Sequence, residues 1–461
     1  MVADLGPIAR KHDSMINHDI FAALVGLALS SDDVDDRVAA VTALADAYRR
    51  SGQIAASDDA LAAGIAHLQR LDAEADDLGS GGLTLGRYAK RHERPALARA
   101  ALEFAAERFE AAEERLALGV TWHDIAETWS PESDGERIVE AYRRAAELKT
   151  PYSDDVDDLL LTIRRLADAE HRWGTPAGCA AALERGLGRL EREGGDRAKM
   201  AAKAHALGRL GERCEQPAAA RAAYTFAAAR LDEVGDRRGR AITLADIGDT
   251  WEAENEHAEA LEAYRAALEI ATPEISTQWR LDRLLQLAEA EHSVGDKARR
   301  DVALDQALEL LADADLDRAK AGRDAHRLGE LAVKAGRHAL ARSAFHRAAE
   351  SKRQGGDVRS LLVTLTWAAR LENACGDLAG CATLLSEALE RLERWPRADA
   401  EKADDAKAIA EIAGQVGDQS AAERASLLRE RYMHAPPPDR GRCWCGSGIR
   451  FEACHGRSAA S

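Results

Sequence analysis

The fold is decided by a stretch that recurs along most of the chain, and its clearest copy is residues 242–273, ITLADIGDTWEAENEHAEALEAYRAALEIATP. The first half places Leu244, Ile247 and Trp251 at helical spacing, with Gly248 leaving room for a neighbouring helix. A polar run interrupts this apolar stripe, and a second stripe follows until a proline ends it. The stretch therefore predicts two helices joined by a short turn. Such a hairpin needs neighbours of its own kind to bury both stripes.

Copies of this hairpin follow one another every 40 or 41 residues. The first-helix apolar residue recurs at Leu44, Leu85, Ile125, Leu166, Leu207, Ile247, Leu287, Leu328, Ala368 and Ile409. The large residue of the second helix recurs in phase at Leu61, Leu102, Tyr142, Leu183, Tyr224, Tyr264, Leu304, Phe345 and Leu385, and a Gly or Ala follows each by three positions. A large side chain beside a small one on the same helical face is what close stacking requires. The period predicts about ten hairpins.

The hairpins resemble the tetratricopeptide repeat. The resemblance rests on the Leu328-Gly329 pair of one first helix and on Ala341, Phe345 and Ala348 of the helix after it. Repeats of that family usually span about 34 residues, and the longer period with Gly-Asp joints looks like a subclass with units of roughly 40 residues. The resemblance covers residues 35–432. It implies an all-α solenoid that binds a protein or peptide partner in a concave groove lined by the first helices.

The composition limits the function classes. Aromatic residues make up 5% of the chain and hydrophobic residues 46%, which suits thin helical layers and argues against a β-sandwich or barrel. A net charge of −17 makes the body a poor general binder of nucleic acid or anionic membranes. No apolar run approaches the ~18 residues of a membrane span, and the first residues lack the apolar core of a signal peptide. We expect a cytoplasmic protein without a membrane partner.

Several features inside and before the array have simple interpretations. Residues 1–34 fall outside the period, and their apolar stripe predicts a helix that caps the first layer. A membrane-surface helix is the alternative, but its polar flanks are acidic, which is the wrong sign. The glycine-rich run 78–82 follows no predicted strand, so we interpret it as a flexible joint rather than a phosphate loop. Cys179 and Cys381 occupy the small position held by Ala260 and are predicted to be buried.

The strongest chemical signal follows the array. Residues 433–442 contain three consecutive prolines and predict an extended hinge. The next segment, CWCGSGIRFEACHGR, supplies three thiols and one imidazole, at Cys443, Cys445, Cys454 and His455. Three thiolates and an imidazole complete a tetrahedral shell for Zn²⁺. A segment this short has no core, so the metal would supply its folding energy.

The spacing C-x-C-x8-C-H, with Gly-Ser-Gly after the second cysteine, resembles the SEC-C motif. This is the zinc-binding tail found on the SecA preprotein-translocase ATPase and on many otherwise unrelated bacterial proteins. The resemblance covers residues 443–457 and implies that the same four residues are the zinc ligands. The lysines usual in the family are replaced here by the run IRFEA at 449–453. Trp444 and Phe451 are interpreted either as an aromatic contact surface or as a shield over the metal.

The array has a candidate partner site of its own. Projected onto the first helices, the groove of the first five units has five more positive than negative side chains, although the whole chain is acidic. The candidate partner-binding residues are Arg87, Lys90, Arg164, Arg209 and Arg213. An acidic peptide or a free carboxylate terminus would suit them. The alternative interpretation is an ordinary solvated face.

These features together predict a cytosolic protein-binding adaptor or regulator with a zinc-binding tail as a second interaction module. No nucleophile, base and phosphate loop converge in the sequence, so we do not expect an enzyme. The alternative is a translation- or nucleic-acid-associated factor that contacts the ribosome or RNA through the zinc tail alone. It is favoured by arginines and aromatic residues around the motif: Arg440, Arg442, Trp444, Arg450, Phe451 and Arg457.

Overall fold

The fold of the chain is all-α. The structure is a computed structural model that describes residue 31 and residues 33–152, 155–271, 275–312, 316–394 and 400–433. Within these ranges every element of regular structure is an α-helix, and consecutive helices pair as hairpins. The predicted class, an array of tetratricopeptide-like hairpins, is confirmed.

The twenty described helices form ten hairpins, each with a first and a second helix. In chain order the pairs are α1 (Val34–Arg50) and α2 (Ile54–Leu68); α3 (Ala75–Arg91) and α4 (Pro95–Ala111); α5 (Arg115–Ala126) and α6 (Gly135–Tyr152); α7 (Val156–Trp173) and α8 (Pro176–Arg192); α9 (Arg197–Arg213) and α10 (Pro217–Glu233); α11 (Arg237–Ala253) and α12 (His257–Ile270); α13 (Thr277–Val294) and α14 (Lys297–Leu310); α15 (Arg318–Lys334) and α16 (His338–Gly355); α17 (Val358–Ala374) and α18 (Leu378–Arg394); α19 (Ala400–Gln415) and α20 (Gln419–Met433).

The hairpins belong to two compact units that divide between Asp236 and Arg237. Unit 1 contains α1 to α10 and unit 2 contains α11 to α20. Each unit buries its own apolar clusters between successive helices, as expected when every hairpin lends one face to the next.

The joint between α16 and α17 shows how the sequence ends one helix and begins another. Gly356 has a φ of 73°, in the left-handed region that glycine adopts readily. The Asp357 side chain then accepts a hydrogen bond from the backbone N–H of Ser360 at 3.1 Å and caps the first turn of α17. Aspartates cap other described helices in the same way, among them Asp33, Asp155, Asp196, Asp296 and Asp317.

In several hairpins a large side chain of the second helix packs against a glycine of the first helix. In α11, a Cβ added to Gly248 would lie 2.4 Å from Cε1 of Tyr264, so glycine is what lets that ring pack there. The same contact recurs between Gly208 and Tyr224 and between Gly329 and Phe345. The nine large residues predicted for the second helices are all buried, and so are the small residues three positions after them. The knob-and-gap pattern is therefore confirmed.

The glycine-rich run 78–82 is not a joint, and that prediction was wrong. The run lies inside α3 and its three glycines are buried. A Cβ on Gly79 would lie 2.7 Å from the ring of Phe109, and one on Gly81 would lie 2.8 Å from Val34. The glycines therefore admit side chains of neighbouring helices. This packing outweighs the cost of glycine in a helix, roughly 1 kcal/mol per residue.

The cysteine prediction is confirmed, since Cys179 and Cys381 are fully buried. Cys214 is buried as well, whereas Cys375 is exposed. No described helix combines the length and the apolar character needed to cross a membrane.

Three predicted segments lie almost entirely outside the described residues. They are the capping helix at 1–34, the proline-rich hinge at 433–442 and the zinc-binding segment at 443–457. Where they meet the described array, α1 begins at Val34 and α20 ends at Met433.

Candidate functional site

Ion pairs connect the first helices of unit 1 to one another. Arg87 and Lys90 of α3 both contact Asp124 of α5, with 2.6 Å between Arg87 Nε and Asp124 Oδ2. Lys90 Nζ also lies 2.7 Å from Oε2 of Glu127. These residues belong to a surface that we call the charged face: Arg87, Lys90, Asp124, Glu127, Arg164, Arg165, Asp168, Arg209 and Arg213.

Asp124 is the centre of the first group of pairs, and its side chain is only 7% exposed. Burial alone would raise the pKa of Asp124, but the hydrogen bonds from Lys90 and Arg87 outweigh it and hold the pKa below its usual value. Burial would likewise lower the pKa of Lys90, but Asp124 and Glu127 raise it. The carboxylate and the amine are therefore both charged at neutral pH, and their charges satisfy each other inside the protein.

The next pairs join α7 to its neighbours. Arg165 Nη2 lies 3.8 Å from Oε1 of Glu127 in the residues after α5, and Arg213 Nη2 of α9 lies 2.8 Å from Oδ1 of Asp168. The Arg213 side chain is 59% exposed, and exposed pairs of this kind contribute at most about 1 kcal/mol each. They orient neighbouring side chains more than they stabilise the fold.

The structure divides the five predicted partner-binding residues into two groups. Arg87, Lys90 and Arg213 are paired with carboxylates of adjacent hairpins. Arg164, one turn before Asp168, and Arg209, one turn before Arg213, are exposed. Neither of these two has an ion-pair partner in the ranges that the structure describes.

Sequence reasoning missed the pairing role of Asp124. This residue follows Arg87 by 37 positions and Lys90 by 34. Both separations are three to seven residues shorter than the repeat period, so the cations and the carboxylate lie on successive first helices but at shifted positions. A carboxylate on the next first helix, within about two turns of the position one period after a cation, was the available signal.

One connection in unit 1 departs from the repeat pattern. Residues 127–134 form an eight-residue loop between α5 and α6, whereas the other hairpins are closed by two or three residues. The Thr128 hydroxyl donates to the carbonyl of Ile125 at 2.7 Å, and the N–H of Asp134 donates to the carbonyl of Ser130 at 2.9 Å. These bonds order both ends of the loop.

The loop borders a cleft of about 490 Å³, which we call the Trp cleft. Its lining comes from α3, α6, α7 and the end of α5 with the following loop: Lys90, Ala126, Glu127, Trp129, Pro131, Ile138, Tyr142, Arg165, Asp168, Ala169, Arg172 and Trp173. The cleft therefore adjoins the charged face and adds aromatic walls to it. Sequence reasoning did not find it.

Neighbouring residues contact the two tryptophans of the cleft. The guanidinium carbon of Arg99 lies 3.6 Å from the centroid of the Trp129 ring, and that of Arg137 lies 4.7 Å from it. Trp173 packs against Gly135, where an added Cβ would lie 2.4 Å from its Cγ. Both rings are half-buried. The aromatic walls are thus positioned before any ligand binds.

The predicted zinc ligands Cys443, Cys445, Cys454 and His455 lie outside the described residues. Across the described ranges, no group of three or more His, Cys, Asp or Glu side chains is placed to hold a metal ion.

Comparison with known proteins identifies the segment that contains these four residues. Residues 442–457 match the SEC-C motif family. A comparison with curated proteins gives no match.

Several solved structures are similar to this chain at low identity. A kinesin light chain protein of Podosopora anserina with nearly identical TPR-like repeats is 15% identical, with a TM-score of 0.35, over 44% of this chain and 99% of its own. A STAND signal-transduction ATPase with a tetratricopeptide repeat sensor, from Pyrococcus horikoshii, is 10% identical, with a TM-score of 0.42, over 91% of this chain and 65% of its own. Apo RapI is 13% identical, with a TM-score of 0.34, over 77% of this chain and 98% of its own. On its own helices and on the motif match, the chain is an all-α array of tetratricopeptide-like hairpins that carries a SEC-C motif at residues 442–457.

Proposed function

We propose that the protein is a binding scaffold whose charged face docks an acidic segment of a partner protein, with the SEC-C motif as a second interaction module. Docking on the charged face is supported by one observation. Arg164 and Arg209 stand exposed and unpaired among the described residues, on neighbouring first helices, while Arg87, Lys90 and Arg213 are paired with carboxylates.

Unpaired arginines suit a carboxylate ligand. The planar guanidinium can donate two parallel hydrogen bonds to one carboxylate, and each charge-assisted contact contributes roughly 1.5–3 kcal/mol when partly desolvated. A ligand that bridges α7 and α9 would engage both arginines. The net charge of −17 repels an acidic partner at long range, so capture depends on this local field, and salt screens both effects.

The paired cations have a different role in this proposal. Arg87 and Lys90 already contact Asp124, and a ligand that drew both of them away would leave this buried carboxylate without its partners. Leaving a buried charge unpaired costs several kcal/mol. We therefore assign them to positioning the helices of the face rather than to direct ligand contact.

A double charge reversal tests the docking face. We expect Arg164→Glu with Arg209→Glu to weaken capture of the partner by more than about tenfold, because two favourable contacts become repulsive. The matched control reverses Arg323 and Lys334 in unit 2, which are also exposed and also unpaired among the described residues. Affinity measured against the same partner should be nearly unchanged in the control. An equal loss in both double variants, or none in either, would contradict the proposed face.

The second module requires a metal. We propose that Cys443, Cys445, Cys454 and His455 bind one Zn²⁺ per chain, because three thiolates and an imidazole satisfy its tetrahedral preference. Metal analysis of reductively purified protein should give one equivalent of zinc, and Cys454→Ser should release it. Circular dichroism should show the helix content of the array unchanged by that substitution. If metal analysis finds no zinc in the reductively purified protein, the proposed metal site is refuted.

A further inference from the structure

The proposed docking face leaves the Trp cleft without a role. We infer that the cleft is an anchor site that accepts one large apolar side chain of the acidic partner segment, while Arg172 binds a carboxylate next to that side chain. The inference rests on the proposed function, since it takes the ligand to be an acidic polypeptide.

The cleft depends on one unusually long connection between two helices. The loop 127–134 is at least five residues longer than the connection of any other described hairpin. The added residues bring Trp129 and Pro131 to the surface beside α6 and α7. The guanidinium groups of Arg99 and Arg137 pack against the Trp129 ring. The cleft is thus a local addition to a repeat that closes elsewhere without it.

Aromatic residues line the walls of the Trp cleft. Trp129, Tyr142 and Trp173 present three aromatic rings to a space of about 490 Å³, which lies within the range of ligand-binding pockets, roughly 300–1,000 Å³. Burial of a Phe, Leu or Met side chain in such a place is favourable because it removes apolar surface from water. A space of this size also admits backbone on either side of the anchor, as an extended peptide requires.

The side chains around the Trp cleft carry an excess of positive charge. Around the cleft and the adjoining charged face, seven cations stand against three carboxylates: Arg87, Lys90, Arg164, Arg165, Arg172, Arg209 and Arg213 against Asp124, Glu127 and Asp168. Arg172 lines the cleft, is exposed, and has no carboxylate partner in the described ranges. Its guanidinium carbon lies 5.8 Å from the centroid of the Trp173 ring. A ligand carboxylate can therefore meet Arg172 while its apolar neighbour contacts the aromatic walls.

The test is a selection from a phage library of random dodecapeptides against the full zinc-loaded chain. We expect the enriched sequences to share a large apolar residue one or two positions from Asp or Glu. For the best such peptide, Trp129→Ala and Arg172→Glu should each weaken binding by about tenfold or more. Trp279→Ala removes another half-buried tryptophan, on α13 of unit 2, and should leave the affinity unchanged.

The outcomes separate the cleft from the face. Acidic peptides that bind without an apolar anchor, and that respond to reversal of Arg164 and Arg209 but not to Trp129→Ala, would refute the anchor site and leave the docking face standing. A selection that yields no acidic peptide would refute both. If thermal unfolding shows that Trp129→Ala is destabilised, Gly135→Ala replaces it, because the added Cβ displaces the Trp173 ring without removing an aromatic wall.

Discussion

Glycine facing an aromatic ring sets the distance between the two helices of several hairpins. The sequence predicted the large residue Tyr264 and the small residue Gly248, because their positions recur with the period. It did not predict what the tyrosine hydroxyl does. In the structure this hydroxyl donates to Asp249 Oδ1 at 2.8 Å, so the buried ring keeps a satisfied polar end. Periodicity shows which residues are buried, whereas the partner of a polar tip depends on helix rotation.

A glycine substitution tests this packing. Gly248→Ala places a methyl group 2.4 Å from the Tyr264 ring, which is fully buried and has little room to move. We expect a loss of about 1–3 kcal/mol in the free energy of unfolding. Gly188→Ala is the control, since a Cβ there meets nothing within 4 Å and alanine favours the helix by roughly 0.5–1 kcal/mol. Urea unfolding should show the two variants moving in opposite directions, and a Gly248→Ala variant as stable as the parent would contradict the packing described.

Among elements, the helices were more predictable than their connections. Apolar stripes and recurring anchors placed ten hairpins, but the buried run 78–82 was interpreted as a joint because glycine disfavours helices in isolation. Packing against side chains of other helices stabilises these glycines in a helix, and local helix propensity does not include such contacts. The loop 127–134 went unrecognised although Pro131 and Gly135 are both turn signals. The cleft that it borders needs three helices and the loop in place before it exists.

A polar chain joins three consecutive helices in each unit. In unit 2, Thr364 Oγ1 of α17 lies 2.6 Å from Lys352 Nζ of α16 and 3.2 Å from His326 Nδ1 of α15. In unit 1 the corresponding chain is His123, Thr162 and Lys149. Burial, and then the charge of Lys352, lower the pKa of His326 to about 4. Burial also lowers the pKa of Lys352, to about 8.

The lowered pKa of His326 predicts acid sensitivity of unit 2. The unfolded chain takes up a proton near pH 6.5, whereas folded His326 stays neutral down to about pH 4. The contribution of His326 to stability is therefore fully present above pH 6.5 and is lost as the pH falls towards 4. Between pH 7 and pH 5 we expect a loss of about 1–2 kcal/mol from this group. Urea unfolding of His326→Gln should show a correspondingly smaller difference between these two pH values, and an unchanged difference would show that His326 is not the responsible group.

The whole molecule combines two compact units of five hairpins with an acidic net charge. The repeat period and the SEC-C motif were both readable from the sequence, the first from the spacing of apolar residues and the second from the spacing of three cysteines and a histidine. The division into two units between Asp236 and Arg237 was not readable from the sequence, because the repeat period continues through it without interruption. The distribution of charge was predicted only coarsely. Which cations are neutralised depends on pairs formed between helices one repeat apart, and the sequence alone does not show these pairs.

The central claim is that an acidic partner segment docks on the charged face of unit 1. It is tested most directly by hydrogen–deuterium exchange of the full chain, alone and saturated with the best acidic peptide from the selection. We predict slower exchange in the peptide complex along α7 and α9, which carry Arg164 and Arg209, and along α5 and the loop 127–134, with little change in unit 2. Slower exchange confined to α11 to α20, or no change at saturation, would contradict the claim.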